Sequence, residues 1–271
     1  MRKLEWMAGF VSMAMIFSAG LAVAGNISIN GSTTVLPIAQ KVAEAYMKEH
    51  PDVAISISGG GSGNGIKALI DKTTDIANSS RTIKPEEAQQ AKAKGANPVE
   101  LIVAYDCIVP IVHPDNPLKD ITLDQLKALY KGEIKNWKEI GGANKPIVII
   151  SRDTSSGTYE VWEEKVMKKE RVFPGALLQA SNGAIVQAVS KNPNAIGYIG
   201  LGYAEKTVKL ISVNGIVGSK ETTLNKTFPI SRPLYMYTPA LPAGDVKSFM
   251  DYVISDKGQK LIEAEGFIPL K

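Results

Sequence analysis

Three short segments rich in glycine and hydroxyl residues carry the side chains best suited to chemistry: GSTT at 31–34, GGGSGNG at 59–65 and SSGT at 155–158. Each follows a predicted strand and opens a predicted helix, where the first backbone N–H groups lack helical partners and carry the positive end of the dipole. Glycine permits close approach of a ligand, and serine and threonine add short donors. Such a turn can bind an anion, although any one of them can equally be an ordinary N-cap.

Arg152 directly precedes the third turn, at the end of the predicted strand PIVIISRD. Its guanidinium is permanently charged, and its planar fork suits a tetrahedral oxyanion. The alternative is an ion pair with a nearby acid such as Asp153, which is also placed to orient the guanidinium. Because the carboxyl ends of strands converge on the ligand crevice of an open α/β sheet, three such turns and one arginine predict an oxyanion site.

The same segments fit enzyme active sites poorly. Gly60 and Gly65 have P-loop spacing, but Ile66 stands where that motif needs lysine. Neither Ser62 nor Ser156 lies in a G-x-S-x-G elbow, and both histidines precede prolines at predicted element ends. No His/Cys cluster indicates a metal. We predict no catalytic residue, no metal and no cofactor; a phosphatase or serine hydrolase using Ser62 or Ser156 is a remote alternative.

Alternating strand and helix signals surround the turns and predict an α/β fold. The apolar run VELIVAYDCIVPIVH at 99–113 is long enough to cross between two lobes, and RPLYMYT at 232–238 predicts a return crossing. The prediction is therefore two discontinuous lobes with a cleft between them. Lobe 1 would comprise residues 25–104 and 230–271, and lobe 2 would comprise residues 105–229.

The first 24 residues combine a basic start, an apolar stretch and the small-x-small sequence Ala22-Val23-Ala24, which predicts a signal peptide cleaved after Ala24. An uncleaved membrane anchor is the alternative, and no cysteine follows that could carry a lipid. A net charge of +4 without a dense Lys/Arg stripe argues against nucleic-acid binding. Cys107, the single cysteine, can form no internal disulfide and is predicted to be a buried small side chain.

Five segments, in this order, resemble the PstS-like phosphate-binding proteins of bacterial ABC-type phosphate uptake systems, in a shorter form. They are GSTTVLPIAQ, SGGGSGNGIKALIDKTTDIANSSR, AYDCIVPIVHPDNPLKDITLDQLKALYKGEIKNW, SRDTSSGTYEVW and NPNAIGYIG. The resemblance implies a periplasmic-binding-protein fold of type II topology whose lobes close over one phosphate. It also implies a periplasmic monomer without enzymatic activity, which delivers phosphate to permease subunits in the inner membrane.

The resemblance implies that both lobes supply hydrogen-bond donors to the anion. The residues carried over are Ser32, Thr33, Thr34, Ser62, Ser80, Arg81, Arg152, Ser156, Gly157 and Thr158. The family has an aspartate, here Ser80, that accepts the proton of hydrogen phosphate, so binding of another oxyanion such as sulfate is the alternative function. Arg81 either adds a second cation to the site or points outward and pairs with Glu86 or Glu87.

Overall fold

The structure, a computed structural model, describes residues 25–271, and the first lobe uses both ends of that range. Its elements are β1 (Gly25–Gly31), α1 (Leu36–Glu49), β2 (Val53–Gly59), α2 (Ser62–Ile70), β3 (Ile76–Ser79), α3 (Pro85–Ala93) and, near the carboxyl end, α8 (Gly244–Ile254) and α9 (Asp256–Ala264). Strand β1 pairs in parallel with both β2 and β3. The loops that follow these three strands therefore emerge at one edge of the sheet.

The second lobe comes from the middle of the chain. Its elements are β5 (Asp120–Ile121), α4 (Leu123–Tyr130), a 3-10 turn (Trp137–Ile140), β6 (Val148–Arg152), α5 (Gly157–Lys165), β7 (Leu177–Gln179), α6 (Asn182–Ser190), β8 (Ala195–Gly200), a second 3-10 turn (Leu201–Tyr203), β9 (Lys209–Leu210), β10 (Ser212–Val213) and α7 (Lys220–Leu224). Strand β6 pairs in parallel with β7 and β8. Helix α5 thus starts at the same sheet edge at which β6 ends.

Two longer strands, β4 (Val99–Val112) and β11 (Ser231–Thr238), join the lobes. The first part of β4 pairs with β11, from Val99 to Cys107, and its last part pairs with β8, from Ile108 to Val112. Strand β11 returns the chain to the first lobe, where it also pairs with β3. Both predicted crossing segments are confirmed as strands.

Each lobe has its own hydrophobic core. Trp137, Trp162 and Tyr198 lie in the core of the second lobe, and the rings of Trp162 and Tyr198 stack 4.1 Å apart. Tyr46 and Phe249 contact edge to face in the core of the first lobe. Separate cores allow the lobes to move as units about the strands that join them, so the predicted two-lobed α/β fold is confirmed.

Cys107 lies on β4 and is fully buried, as predicted, and burial raises the pKa of its thiol to about 12. Across residues 25–271, no helix is both long and apolar enough to cross a membrane. The predicted signal peptide, residues 1–24, lies outside the described residues.

Candidate functional site

The three glycine-hydroxyl turns meet at the interface between the lobes. Gly61 has a φ of 100°, a conformation that favours glycine, and its N–H donates to the carbonyl of Gly31 at 3.0 Å. Two residues further along, the N–H of Gly63 donates to the carbonyl of Ser155 in the second lobe at 2.9 Å. The glycine loop therefore contacts both other turns, and the lobes are closed upon each other.

Buried hydroxyl groups from both lobes line this interface. The predicted site residues with hydroxyl side chains are each at most 7% exposed: Ser32, Thr33, Thr34, Ser62, Ser80, Ser156 and Thr158. The hydroxyl oxygens of Thr34 and Thr158 lie 2.9 Å apart across the cleft. Ser80 donates its backbone N–H to the Ser62 hydroxyl oxygen at 3.0 Å. The structure thus brings these predicted residues together.

Ser156 and Gly157 form the helix start in the second lobe. Ser156 is the N-cap of α5, and its hydroxyl oxygen accepts from the N–H of Tyr159 at 3.2 Å. Gly157 packs against the first lobe so closely that a Cβ at this position would overlap the Ser62 hydroxyl and lie 2.8 Å from that of Ser80. A residue without a side chain is therefore required for this degree of closure.

Arg152 is 1% exposed and lies at the end of β6. Its Nε donates to the carbonyl of Gln179 and its Nη2 to that of Ala180, both at 2.9 Å, whereas Nη1 has no hydrogen-bond partner among residues 25–271. No carboxylate of the described chain lies within ion-pair distance of this guanidinium. Burial lowers the pKa of Arg152, because a desolvated cation without an acid is unfavourable.

Asp153 does not orient Arg152, which corrects one expectation. Its carboxylate instead accepts hydrogen bonds from the N–H of Ser155, at 2.9 Å, and from the Ser155 hydroxyl. The acid therefore shapes the turn before α5. Two backbone carbonyls hold the guanidinium in its place.

The Arg81 side chain does not join the buried hydroxyl groups. Its guanidinium donates to both carboxylate oxygens of Glu87 at 2.7 Å, and its Nε lies 2.8 Å from a carboxylate oxygen of Glu160 on α5. Burial would lower the pKa of Arg81, but the two acids raise it above its ordinary value. Of the two alternatives, the outward pairing with Glu87 is the one observed, because two carboxylates compensate the buried cation there.

A buried ion pair between the two crossing strands was not anticipated. Arg232 of β11 donates through Nε and Nη2 to one oxygen of Asp106 on β4, at 3.1 and 2.8 Å. Its Nη1 donates to the carbonyl of Ser80 at 3.2 Å, and its Nη2 lies 3.5 Å from the Thr34 hydroxyl. Burial raises the pKa of Asp106 even though Arg232 opposes the shift. A charged residue inside a largely apolar strand was the available signal for both positions.

Asn182, the first residue of α6, is a second unanticipated residue. It is fully buried, and its Nδ2 donates to the hydroxyl of Thr34 at 3.1 Å and to that of Thr33 at 3.4 Å. A polar residue directly after the Ser181 N-cap was its signal in the sequence. Within the described range, no group of histidine, cysteine and acidic residues has the arrangement of a metal site.

Comparison with known proteins identifies the family of this chain. A family model described as a PBP superfamily domain matches residues 18–257. The phosphate-binding protein PstS of Borreliella burgdorferi is 35% identical over 257 residues, which is 90% of each chain. The chain belongs to the PBP superfamily, within its PstS-like family.

Solved structures with the same fold include relatives of this family. A substrate-binding protein assigned to phosphate ABC transport in Clostridium perfringens, solved with bound phosphate, is 38% identical, with a TM-score of 0.86; the match covers 91% of this chain and all of that one. An ABC-type phosphate transport receptor from Vibrio cholerae is 32% identical, with a TM-score of 0.74, and the match covers 89% of this chain and 99% of that one. The buried, hydroxyl-rich turns and Arg152 therefore lie in a fold that the chain shares with solved relatives of the PstS-like family.

Proposed function

We propose that this protein binds one inorganic phosphate between its lobes and delivers it to the permease of an ABC transporter. One observation carries the proposal. The fully buried guanidinium of Arg152 makes no ion pair and keeps Nη1 without a hydrogen-bond partner within residues 25–271, at an interface lined with hydroxyl groups. A buried cation of this kind is compensated when an anion occupies the interface. Phosphate is the anion named for the relatives from B. burgdorferi and C. perfringens.

The proposed ligands come from both lobes. The first lobe supplies Ser32, Thr33, Thr34, Ser62 and Ser80, and the second supplies Arg152, Ser156, Gly157 and Thr158. Arg81 is omitted because Glu87 and Glu160 already occupy its guanidinium. Donors that surround the anion on both sides favour a cycle of closure on binding and opening on release.

The remaining features of the proposal follow from the sequence and the family. We propose lobe boundaries at 104/105 and 229/230, a monomer, a leader cleaved after Ala24 and a periplasmic location. The partners are phosphate and permease subunits in the inner membrane, with no nucleic acid and no cofactor. Turnover of a substrate is not part of the proposal, since the relatives are named as binding proteins and transport receptors.

The proposal is tested by calorimetric titration of ligand-stripped protein with phosphate. We expect one phosphate per chain with micromolar or tighter affinity, and no detectable binding at micromolar concentrations would refute the function. Arg152→Ala should weaken binding by roughly a hundredfold or more, because it removes a desolvated, charge-assisted contact. Arg152→Lys should recover part of that loss, since a point charge cannot reproduce the fork.

Sulfate is the alternative ligand, and one observation favours keeping it. The family's carboxylate acceptor is replaced by Ser80, whose hydroxyl lies 3.3 Å from that of Ser62 and can either donate or accept. The uncharged Ser80 hydroxyl does not repel sulfate, which carries no proton. Competition between sulfate and phosphate in the same titration separates the two, and sulfate binding tighter than phosphate would reassign the ligand.

A further inference from the structure

The orientation of the Asn182 amide is set by the protein around it. Ser181 caps α6 by accepting from the N–H of Ala184, so the helix start does not use the Asn182 side chain. The N–H of Gly200 donates to Asn182 Oδ1 at 3.2 Å, and an N–H can donate only to the oxygen end of the amide. The NH₂ group of Asn182 is therefore directed across the cleft at the threonine hydroxyls of the first lobe.

This amide determines the direction of a hydroxyl chain. The Thr34 hydroxyl oxygen receives Asn182 Nδ2 at 3.1 Å and Arg232 Nη2 at 3.5 Å, and neither nitrogen can accept a hydrogen bond. A hydroxyl oxygen has two lone pairs, so both are engaged and the Thr34 proton is donated to Thr158, 2.9 Å away. Thr158 accepts at one lone pair, which leaves its own proton for another acceptor.

We propose that Asn182 is a positioning residue for anion recognition, which makes Thr158 present a donor rather than an acceptor to the ligand. The inference rests on the proposed function, and it assigns different roles to two corners of the site. At the corner beside Asn182, Thr158 donates to a phosphate oxygen that carries no proton. The protonated oxygen of hydrogen phosphate faces the corner formed by Ser62 and Ser80, whose hydroxyl oxygens lie 3.3 Å apart. One of these hydroxyls can donate to the other, and the pair still has a lone pair for a P–OH group.

A double-mutant cycle tests whether Asn182 acts through Thr34. Asn182→Leu removes the donor at similar volume, and Thr34→Val removes the hydroxyl. We expect Asn182→Leu to weaken phosphate binding about tenfold in the unaltered protein, and by about twofold or less in the Thr34→Val background. Equal losses in both backgrounds would mean that Asn182 does not act through Thr34, which would overturn the inference.

Asn182→Asp provides an independent test by pH. At about pH 8 the carboxylate of this variant accepts the Thr34 proton and reverses the chain, so it should bind phosphate more weakly than Asn182→Leu. Position 182 is fully buried, and burial raises the pKa of a carboxyl group, so we expect a substantial fraction to be protonated at about pH 5. The protonated form donates as the amide did, and binding should then exceed that of Asn182→Leu. Each Kd is divided by the Kd of the unaltered protein at the same pH, which corrects for the change in the protonation of phosphate itself.

The exposed Asn26, at the far end of β1, provides the matched control Asn26→Asp, which adds the same charge away from the cleft. If the phosphate affinity of Asn182→Asp rises at low pH only to that of Asn182→Leu, the variant suffers from charge repulsion alone. That result would contradict the inference. An unaltered protein that binds no phosphate at either pH would refute the proposed function instead. The two failures are thus distinguishable.

Discussion

The mouth of the cleft is crossed by ion pairs that we expect to contribute to ligand affinity. Glu160, on the first turn of α5 in the second lobe, lies 2.8 Å from Nε of Arg81 and 2.6 Å from Nζ of Lys84, both in the first lobe. Arg81 and Glu160 are 6% and 14% exposed, so water screens their attraction only in part. When the lobes separate, these groups separate too. Replacing Glu160 with glutamine therefore weakens the closed state selectively.

The free-energy cost of Glu160→Gln depends on which partners Arg81 and Lys84 keep after the substitution. Arg81 retains its two bonds to Glu87, and Lys84, whose side chain is 44% exposed, returns to solvent, so no buried charge is left without an acid. The loss is then that of one partly buried ion pair, about 1–2 kcal/mol, rather than the larger cost of orphaning a charge. Glu160→Gln should raise the Kd for phosphate by about 5- to 30-fold.

Calorimetry and stopped-flow dissociation measure this effect. The change should appear mainly as faster phosphate release, because the ion pairs form only once the lobes have closed. Added salt should weaken the unaltered protein more than the variant. Glu164→Gln is the matched control, since Glu164 is exposed on the same helix and makes no ion pair within residues 25–271. A Kd for Glu160→Gln that equals that of the control would refute this reasoning.

Three further predictions concern closure of the lobes, selectivity between phosphate and sulfate, and the ion pair between the crossing strands. Gly157→Ala should weaken phosphate binding at least about fivefold in calorimetry, because the new methyl overlaps the Ser62 hydroxyl; an unchanged Kd would show that the lobes need not approach so closely. Ser80→Asp should raise the phosphate-to-sulfate affinity ratio about tenfold or more in competition titrations, because a carboxylate accepts a P–OH proton and repels sulfate; an unchanged ratio would contradict the role given to Ser80. Asp106→Ala should lower the free energy of unfolding in urea by about 3–5 kcal/mol by leaving Arg232 buried without its acid. Adding Arg232→Met should recover much of that loss, and no recovery would contradict the account of the pair.

Local patterns in the sequence predicted those parts of the site that depend on interactions between residues close together in the chain. The turns at 59–65 and 155–158 contain helix starts and the turn at 31–34 directly precedes the N-cap of α1, Val35. The direction of a parallel strand decides at which sheet edge each turn emerges. Arg152 was predicted because it follows an apolar strand and precedes one of these turns. The length of β4 was likewise apparent from its unbroken apolar run.

The partners of Asp106, Arg232 and Asn182 could not be predicted in this way. Asp106 and Arg232 are 126 positions apart, and Asn182 lies 148 positions from Thr34. The alternatives for Arg81 were likewise undecided in the sequence, because its second acid, Glu160, reaches it from the other lobe. Propensity and periodicity report on neighbours along the chain, whereas a desolvated charge takes whichever opposite charge the fold brings within a few ångströms.

The sequence by itself determined the α/β class, the crossing strands, the hydroxyl-rich turns and the position of Arg152 at a strand end beside one of them. Tertiary structure alone decided which hydroxyls share hydrogen bonds across the cleft, in which direction their protons are donated, and which of its two alternatives Arg81 adopts. The physical reason is the range of each interaction. Backbone conformation and capping act within one or two turns of chain, while the compensation of buried polar groups acts through space between segments that only folding brings together.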